Sequence, residues 1–129
     1  MATLAAITRR TGTVTMKTSC FKTYQGPGRI CVARYAPRGT PAGFRRFTAL
    51  APGEWFNQVS KTEYLKRYAV ILEVLDPKKT FDKLIELAAG AEPILLCYEV
   101  PPFTEKNWCH RRLIAEWFEQ KLGVRIPEL

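Results

Sequence analysis

Residues 93–99, with the sequence PILLCYE, constrain the fold more than any other segment of this chain. Their apolar residues follow one another without alternation, and the run has the length of a strand rather than of a helix. A strand of this kind is apolar on both faces, which is typical of parallel sheets that are covered on both sides. We therefore predict a buried strand here, inside a parallel sheet.

Two helix signals precede this strand. Ser60 and Glu63 form a capping-box pattern at the start of the first helix. Asp76 followed by Pro77 gives a cap and a favoured first residue for a second helix, which Gly90 is expected to terminate. Two helices are therefore predicted before the buried strand.

A third helix is predicted from about residue 107 to residue 122, and Gly123 is expected to close it. Charged and polar residues occupy one side of this helix, which is typical of a helix that packs on a core. Its apolar stripe consists of Cys109, Leu113, Ile114, Trp117, Phe118 and Leu122.

The first part of the chain carries strand signals. Residues 11–21 alternate apolar and polar side chains, and residues 29–37 hold a short apolar run that we interpret as a central strand. Residues 37–53 are rich in proline and glycine and predict a long irregular connection. A short edge strand is expected in residues 124–129. Together these elements predict a small α/β domain with a mostly parallel sheet.

The length of 129 residues suits one domain, and we expect residues 1–12 to be a flexible basic segment of it. No segment approaches the roughly 18 apolar residues of a membrane span, and the opening residues lack the layout of a secretory signal. We therefore predict a cytoplasmic protein without membrane contact.

The four cysteines are Cys20, Cys31, Cys97 and Cys109. In the cytoplasm we expect them to be mostly reduced thiols. No C-x-x-C pair is present, so a structural zinc site of the paired-knuckle type is not indicated.

The net charge of +8 is unevenly distributed, because residues 1–53 contain nine basic and no acidic residues. Such asymmetry often marks a surface that binds phosphate or nucleic acid, although a generally basic, solvated protein would show it too. Arg9, Arg10, Arg45 and Arg46 are the expected contributors, the last two because they lie in the irregular connection. Nucleotides or nucleic acid are the predicted partners.

The parallel sheet also predicts the position of a site, since ligands bind beyond the carboxyl ends of such strands. The ends of two predicted strands and the start of the last helix would meet at this edge. The residues expected to converge there are Arg34, Arg38, Cys97, Glu99, Cys109, His110 and Arg111.

These residue types suit nucleophilic chemistry. In the first turn of a helix, Cys109 would face free backbone N–H groups, which favour a thiolate. Arg111 and a protonated His110 would act in the same direction, and His110 would carry a proton in the reaction. Arg34 and Arg38 would hold an anion such as phosphate. With Cys97 as a second thiol, this predicts a thiol-dependent enzyme acting on a phosphate-bearing substrate.

Three alternatives stay open. Cys97 and Cys109 could be packed core thiols, with His110 bonded to a loop and Glu99 paired with an arginine. The set Cys97, Glu99, Cys109 and His110 could instead hold a metal ion, although its spacing matches no standard motif. The chain could also be a nucleic-acid-binding module that acts through its basic first half. Common NTPase, dinucleotide, zincin and hydrolase motifs do not occur.

Residues 94–118 resemble the ending of the family catalogued as domain of unknown function 488. In that family a strand with Leu-Leu-Cys and an acidic residue precedes a Cys-His-Arg that opens a helix. The matching residues here are Cys97, Glu99, Cys109, His110 and Arg111.

Residues 29–39, which contain Arg34 and Pro37, resemble the family's second strand. The likeness covers most of residues 15–123, but Val32 stands where many members carry an acid. The resemblance implies a small Rossmann-like, three-layer α/β fold in a bacterial, archaeal or phage protein. It implies no activity and no cofactor.

Overall fold

A computed structural model describes residues 15–129 in full and, before them, the backbone of two short strands. These strands are β1 (Thr8–Arg9) and β2 (Gly12–Thr13), which pair antiparallel. Of the segment 1–12, which is expected to be flexible, residues 1–7, 10 and 11 and the side chains of Arg9 and Arg10 lie outside the described part.

The main sheet has four parallel strands in the order β3-β6-β4-β5. The interior strand β6 (Ile94–Cys97) is the segment that the apolar run predicts, and all four of its residues are buried. It lies between β3 (Lys17–Cys20) and β4 (Arg29–Cys31), and β5 (Arg45–Arg46) is one edge. Both predicted strands of the first part are thus present.

The three described α-helices are α1 (Lys61–Glu73), α2 (Pro77–Leu87) and α3 (His110–Leu122). The Ser60 side chain accepts a hydrogen bond from the Glu63 backbone N–H, as the capping pattern predicts. Asp76 caps α2 in the same way. Gly123 closes α3 in the left-handed conformation (φ 70°), which glycine adopts without a steric penalty.

Two apolar clusters cover the two faces of the sheet. The larger one joins Ile30, Val32 and Leu95 to buried side chains from all three helices. The smaller one joins Cys31, Ala33, Ile94 and Leu96 mainly to side chains from loops. Within residues 15–129, helices therefore cover one face and loops cover the other.

The predicted α/β class with a parallel sheet is confirmed. The Rossmann-like, three-layer arrangement is not confirmed, because no helix of the described chain packs against the sheet face that the smaller cluster covers. In the same part of the chain, every helix is too short or too polar to cross a membrane.

Three local predictions differ from the structure. The connection over residues 37–53 contains strand β5 and one 3₁₀ turn, Thr48–Leu50, and a second 3₁₀ turn, Glu54–Asn57, follows it directly. The last helix begins at His110 and not near residue 107, because residues 98–109 form a loop. The expected edge strand in residues 124–129 is a single parallel bridge between Thr18 and Glu128.

Candidate functional site at the carboxyl edge of the sheet

A cavity of about 400 Å³ opens at the edge where the parallel strands end. Its lining includes Cys97 at the end of β6 and Cys109 and His110 at the start of α3. Arg34 and Glu99 line it as well. Five of the seven residues predicted to converge therefore share one cavity, as the rule for parallel sheets requires.

Cys97 and Cys109 lie side by side at the bottom of this cavity, and both are buried. Their Sγ atoms are in direct contact, as in a disulfide, and their Cα atoms are 7.2 Å apart. This separation is slightly above the range of about 4.4–6.8 Å that disulfides usually span. Cys20 and Cys31 are free thiols, in line with the expectation of mostly reduced cysteines, whereas Cys97 and Cys109 are in contact with each other.

Cys109 is the N-cap residue of α3, with extended backbone angles (φ −143°, ψ 144°). Its side chain accepts no hydrogen bond from the first turn of the helix. The predicted stabilisation of a Cys109 thiolate by first-turn N–H groups is therefore absent in this conformation. The sulfur faces Cys97 and His110 instead.

His110 is buried, with each ring nitrogen in a defined environment. Its Nε2 lies 2.7 Å from the Val32 carbonyl oxygen. Because a carbonyl only accepts, Nε2 carries the proton in the neutral ring and Nδ1 has a free lone pair. Nδ1 lies 3.9 Å from Cys109 Sγ, so this lone pair is directed to the side of the thiols.

The pKa of His110 is lowered to about 4, mainly by burial; the hydrogen bond to Val32 opposes this shift, and the nearby Arg111 charge adds to it. The imidazole is therefore neutral at pH 7. The protonated His110 expected from the sequence is therefore not the resting state at this pH, and the neutral ring can act as a transient proton acceptor or as a metal ligand.

Arg111 is fully buried and does not line the cavity, and it connects Cys97 to the last residues of the chain. Its Nη1 donates to Cys97 Sγ at 3.2 Å. Its Nε and Nη2 donate to the two carboxylate oxygens of Glu128, at 3.1 and 2.7 Å. The sequence predicts that Arg111 acts on Cys109, but its side chain contacts Cys97 instead.

The cavity also contains opposite charges near its opening. Arg34 pairs with Glu54, with Nη2 and Oε2 3.0 Å apart, at a partly exposed position. Glu99 Oε1 lies 3.7 Å from Cys97 Sγ. Glu99 is therefore close to the thiols, whereas the predicted pairing of Glu99 with an arginine is not found among the described residues.

The remaining predicted anion-binding residues lie elsewhere. Arg38 is exposed and does not line the cavity. Arg45 and Arg46 form the exposed edge strand β5, with Arg46 paired in register with Cys31. They belong to a surface beside the site and not to the site itself.

Sequence reasoning missed several residues of the site. Tyr64 and Trp108 line the cavity, but neither residue was predicted to belong to a site. Glu128 holds Arg111 through contacts that depend on the tertiary fold. The short edge strand expected in residues 124–129 was the one signal that pointed to the region of Glu128.

The arrangement supports three kinds of chemistry. Cys97 and Cys109 can form and break a disulfide, since their sulfurs touch. Reduced, Cys109 has a neutral imidazole as a neighbouring base. The ligand atoms of Cys97, Cys109 and His110 also all lie within 4.8 Å of one another, which suits a metal ion.

No family model, curated protein or solved structure matches this chain. The resemblance to domain of unknown function 488 thus stays a prediction from the sequence.

Proposed function

We propose that this chain is a thiol-dependent enzyme of the cytoplasm that acts on a phosphate-bearing substrate. Cys109 is its nucleophile and His110 its proton carrier. The observation that carries the proposal is the position of the His110 Nδ1 lone pair, 3.9 Å from Cys109 Sγ at the bottom of an open cavity. A thiol beside a base is the arrangement that nucleophilic catalysis by cysteine requires.

In the reaction, His110 Nδ1 accepts the Cys109 proton while the sulfur attacks the electrophilic atom of the substrate, so that no free thiolate has to accumulate beforehand. The leaving group departs with the electron pair of the broken bond and takes the proton from His110. Water then releases the transferred group from sulfur and restores the thiol. The Cys97–Cys109 pair must be reduced before this cycle begins.

Arg111 and Arg34 support the proposal from two sides. Arg111 donates to Cys97 Sγ and stabilises negative charge on the sulfur next to the nucleophile. Arg34 lines the cavity and is the cation that would bind a phosphate group of the substrate.

The test is the rate at which iodoacetamide alkylates Cys109 as a function of pH, measured on reduced protein. The Cys97→Ser variant prevents disulfide formation and leaves Cys109 in place. We expect alkylation at pH 7 to be several times faster than that of a free cysteine with a pKa of about 8.5.

A second substitution, His110→Gln, should slow the reaction because it removes the base. An alkylation profile that rises only near pH 8.5, with no effect of His110→Gln, would refute the nucleophile assignment. Cys31→Ser is the matched control, since Cys31 is a buried free thiol that does not line the cavity.

The same geometry favours one other function, a metal centre with Cys97, Cys109 and His110 as ligands. The three ligand atoms lie within 4.8 Å of one another. His110 donates its other N–H to a backbone carbonyl, as metal-bound histidines commonly do. Glu99 does not belong to this compact group, so the predicted fourth ligand is not brought into it.

Metal analysis separates the two functions, because a coordinated thiolate is not a free nucleophile. Reduced protein is purified without added metal, and a second sample is reconstituted with zinc. About one ion per chain, lost in Cys109→Ser but kept in Cys31→Ser, supports the metal centre. A content well below one in both samples excludes it.

A further inference from the structure

The cavity lining is rich in aromatic side chains that the thiol chemistry does not use. They are Tyr35, Phe56, Tyr64, Tyr98 and Trp108. Tyr64 and Trp108 are fixed edge to face, with ring centroids 4.7 Å apart. Tyr35 and Tyr98 are instead about half exposed, at 56% and 47%. Exposed aromatic rings in a concave site are surfaces on which a flat ligand ring stacks.

Two cations also line the cavity, Arg34 and Lys106. Arg34 pairs with the carboxylate of Glu54, whose side chain is 79% exposed. Solvent therefore screens this pair, and an anionic ligand can replace Glu54. Lys106 is exposed as well. Glu99 is the one acidic residue of the lining, so the cavity combines aromatic rings with an excess of fixed positive side-chain charge.

We propose that this cavity binds a nucleoside monophosphate, with the base stacked on Tyr35 or Tyr98 and the phosphate held by Arg34 and Lys106. The inference rests on the proposed function in that it names the substrate class of the same site. A volume of about 400 Å³ lies near the lower end of the range for small-molecule sites, about 300–1,000 Å³. A cavity of this volume suits one nucleotide rather than a folded nucleic acid.

The experiment is calorimetric titration of the reduced full-length chain with three probes: adenosine 5′-monophosphate, adenosine and ribose 5-phosphate. We expect the monophosphate to bind at least tenfold more tightly than either part alone. Equal affinity for ribose 5-phosphate would show that the base is not recognised. Equal affinity for adenosine would show that the phosphate is not recognised. Either result overturns the proposal.

Variants at the cavity opening identify the contacts. Tyr35→Ala should weaken monophosphate binding by about tenfold, whereas Tyr35→Phe keeps the ring and should retain affinity. Arg34→Gln should weaken binding by about tenfold through loss of the phosphate contact. Arg67→Gln is the matched control, because Arg67 also pairs with an exposed glutamate but lies outside the cavity. An equal loss in Arg67→Gln would contradict the assignment.

The nucleotide could be free or could be the end of an oligonucleotide. A short single-stranded oligonucleotide with a terminal phosphate is therefore titrated beside the free nucleotide. Tighter binding of the oligonucleotide that Tyr35→Ala leaves unchanged would place recognition on another surface and overturn the proposal. Loss of that binding in Tyr35→Ala would assign a terminal nucleotide to the cavity.

Cys109→Ala makes this test independent of the proposed function. The variant lacks the nucleophile but keeps the rings and the cations, so it should bind the monophosphate as the wild type does. Binding with an unreactive Cys109 would refute only the thiol mechanism. An activated Cys109 without binding of any nucleotide probe would refute only the substrate class.

Discussion

Removal of the Glu128 carboxylate should destabilise the fold more than the removal of an ordinary surface acid. The Arg111 side chain is 0% exposed and that of Glu128 is 21% exposed, and two hydrogen bonds join them. In Glu128→Ala the buried guanidinium keeps only the sulfur of Cys97 as a partner among these groups. Breaking a buried pair in this way costs about 3–5 kcal/mol.

Because Glu128 is partly exposed, water can reach the vacated position, and we expect the free energy of unfolding to fall by about 3 kcal/mol. For a chain of this length that corresponds to a fall in melting temperature of about 10 °C. The measurement is thermal and urea unfolding of reduced protein, followed by circular dichroism. Glu128→Gln keeps an acceptor for Arg111 and should lose less than Glu128→Ala.

The matched control is Glu92→Ala. Glu92 pairs with Lys17 at 2.7 Å, but both of these side chains are partly exposed. Its removal should cost less than about 1 kcal/mol. If Glu128→Ala is no more destabilising than Glu92→Ala, the argument that a buried guanidinium depends on its carboxylate is refuted.

Two further predictions concern pH and salt. The pKa of His110 is about 4 in the fold and about 6.5 in the unfolded chain, so the unfolded chain binds more protons between these values. His110 should therefore make the free energy of unfolding about 3 kcal/mol larger above pH 6.5 than in acid, and this difference should be lost as the pH falls to 4. In urea unfolding with a chelator present, His110→Gln should flatten this dependence of the free energy on pH. Arg45 and Arg46 are exposed on edge strand β5, so binding of a random oligonucleotide should weaken with rising salt. Charge reversal of both should weaken it for all sequences alike, whereas affinity that is unchanged by salt would contradict a phosphate-binding surface.

Several elements of the fold follow from local sequence because local physics decides them. Strand β6 is apolar without interruption and lies inside the sheet. Ser60 and Asp76 cap their helices through side-chain oxygens, and Gly123 supplies the left-handed residue that ends α3. Each of these signals lies within a few residues of the structure that it predicts.

Other features depend on contacts between distant residues. Strand β5 is only two residues long and forms because it pairs with β4, so no periodicity marks it. The convergence of Cys97, Cys109 and His110 could be predicted from the parallel sheet alone. The neutral state of His110 could not, because it depends on burial and on the Val32 carbonyl. The contact of Glu128 with Arg111 could not be predicted either, because it also depends on the tertiary fold.

The parallel sheet has a consequence for the order in which the molecule folds. Every pairing of its four strands is non-local, and Lys17 of β3 meets Ile94 of β6. Chains dominated by such distant pairings fold slowly, because the entropy of loop closure is lost before the stabilising contacts between the strands form. The carboxyl edge draws on β4, β6, the start of α3 and the last residues of the chain. We therefore expect this edge to form late in folding. The time at which Cys97 and Cys109 become protected from a thiol reagent during refolding would then report when the native state is complete.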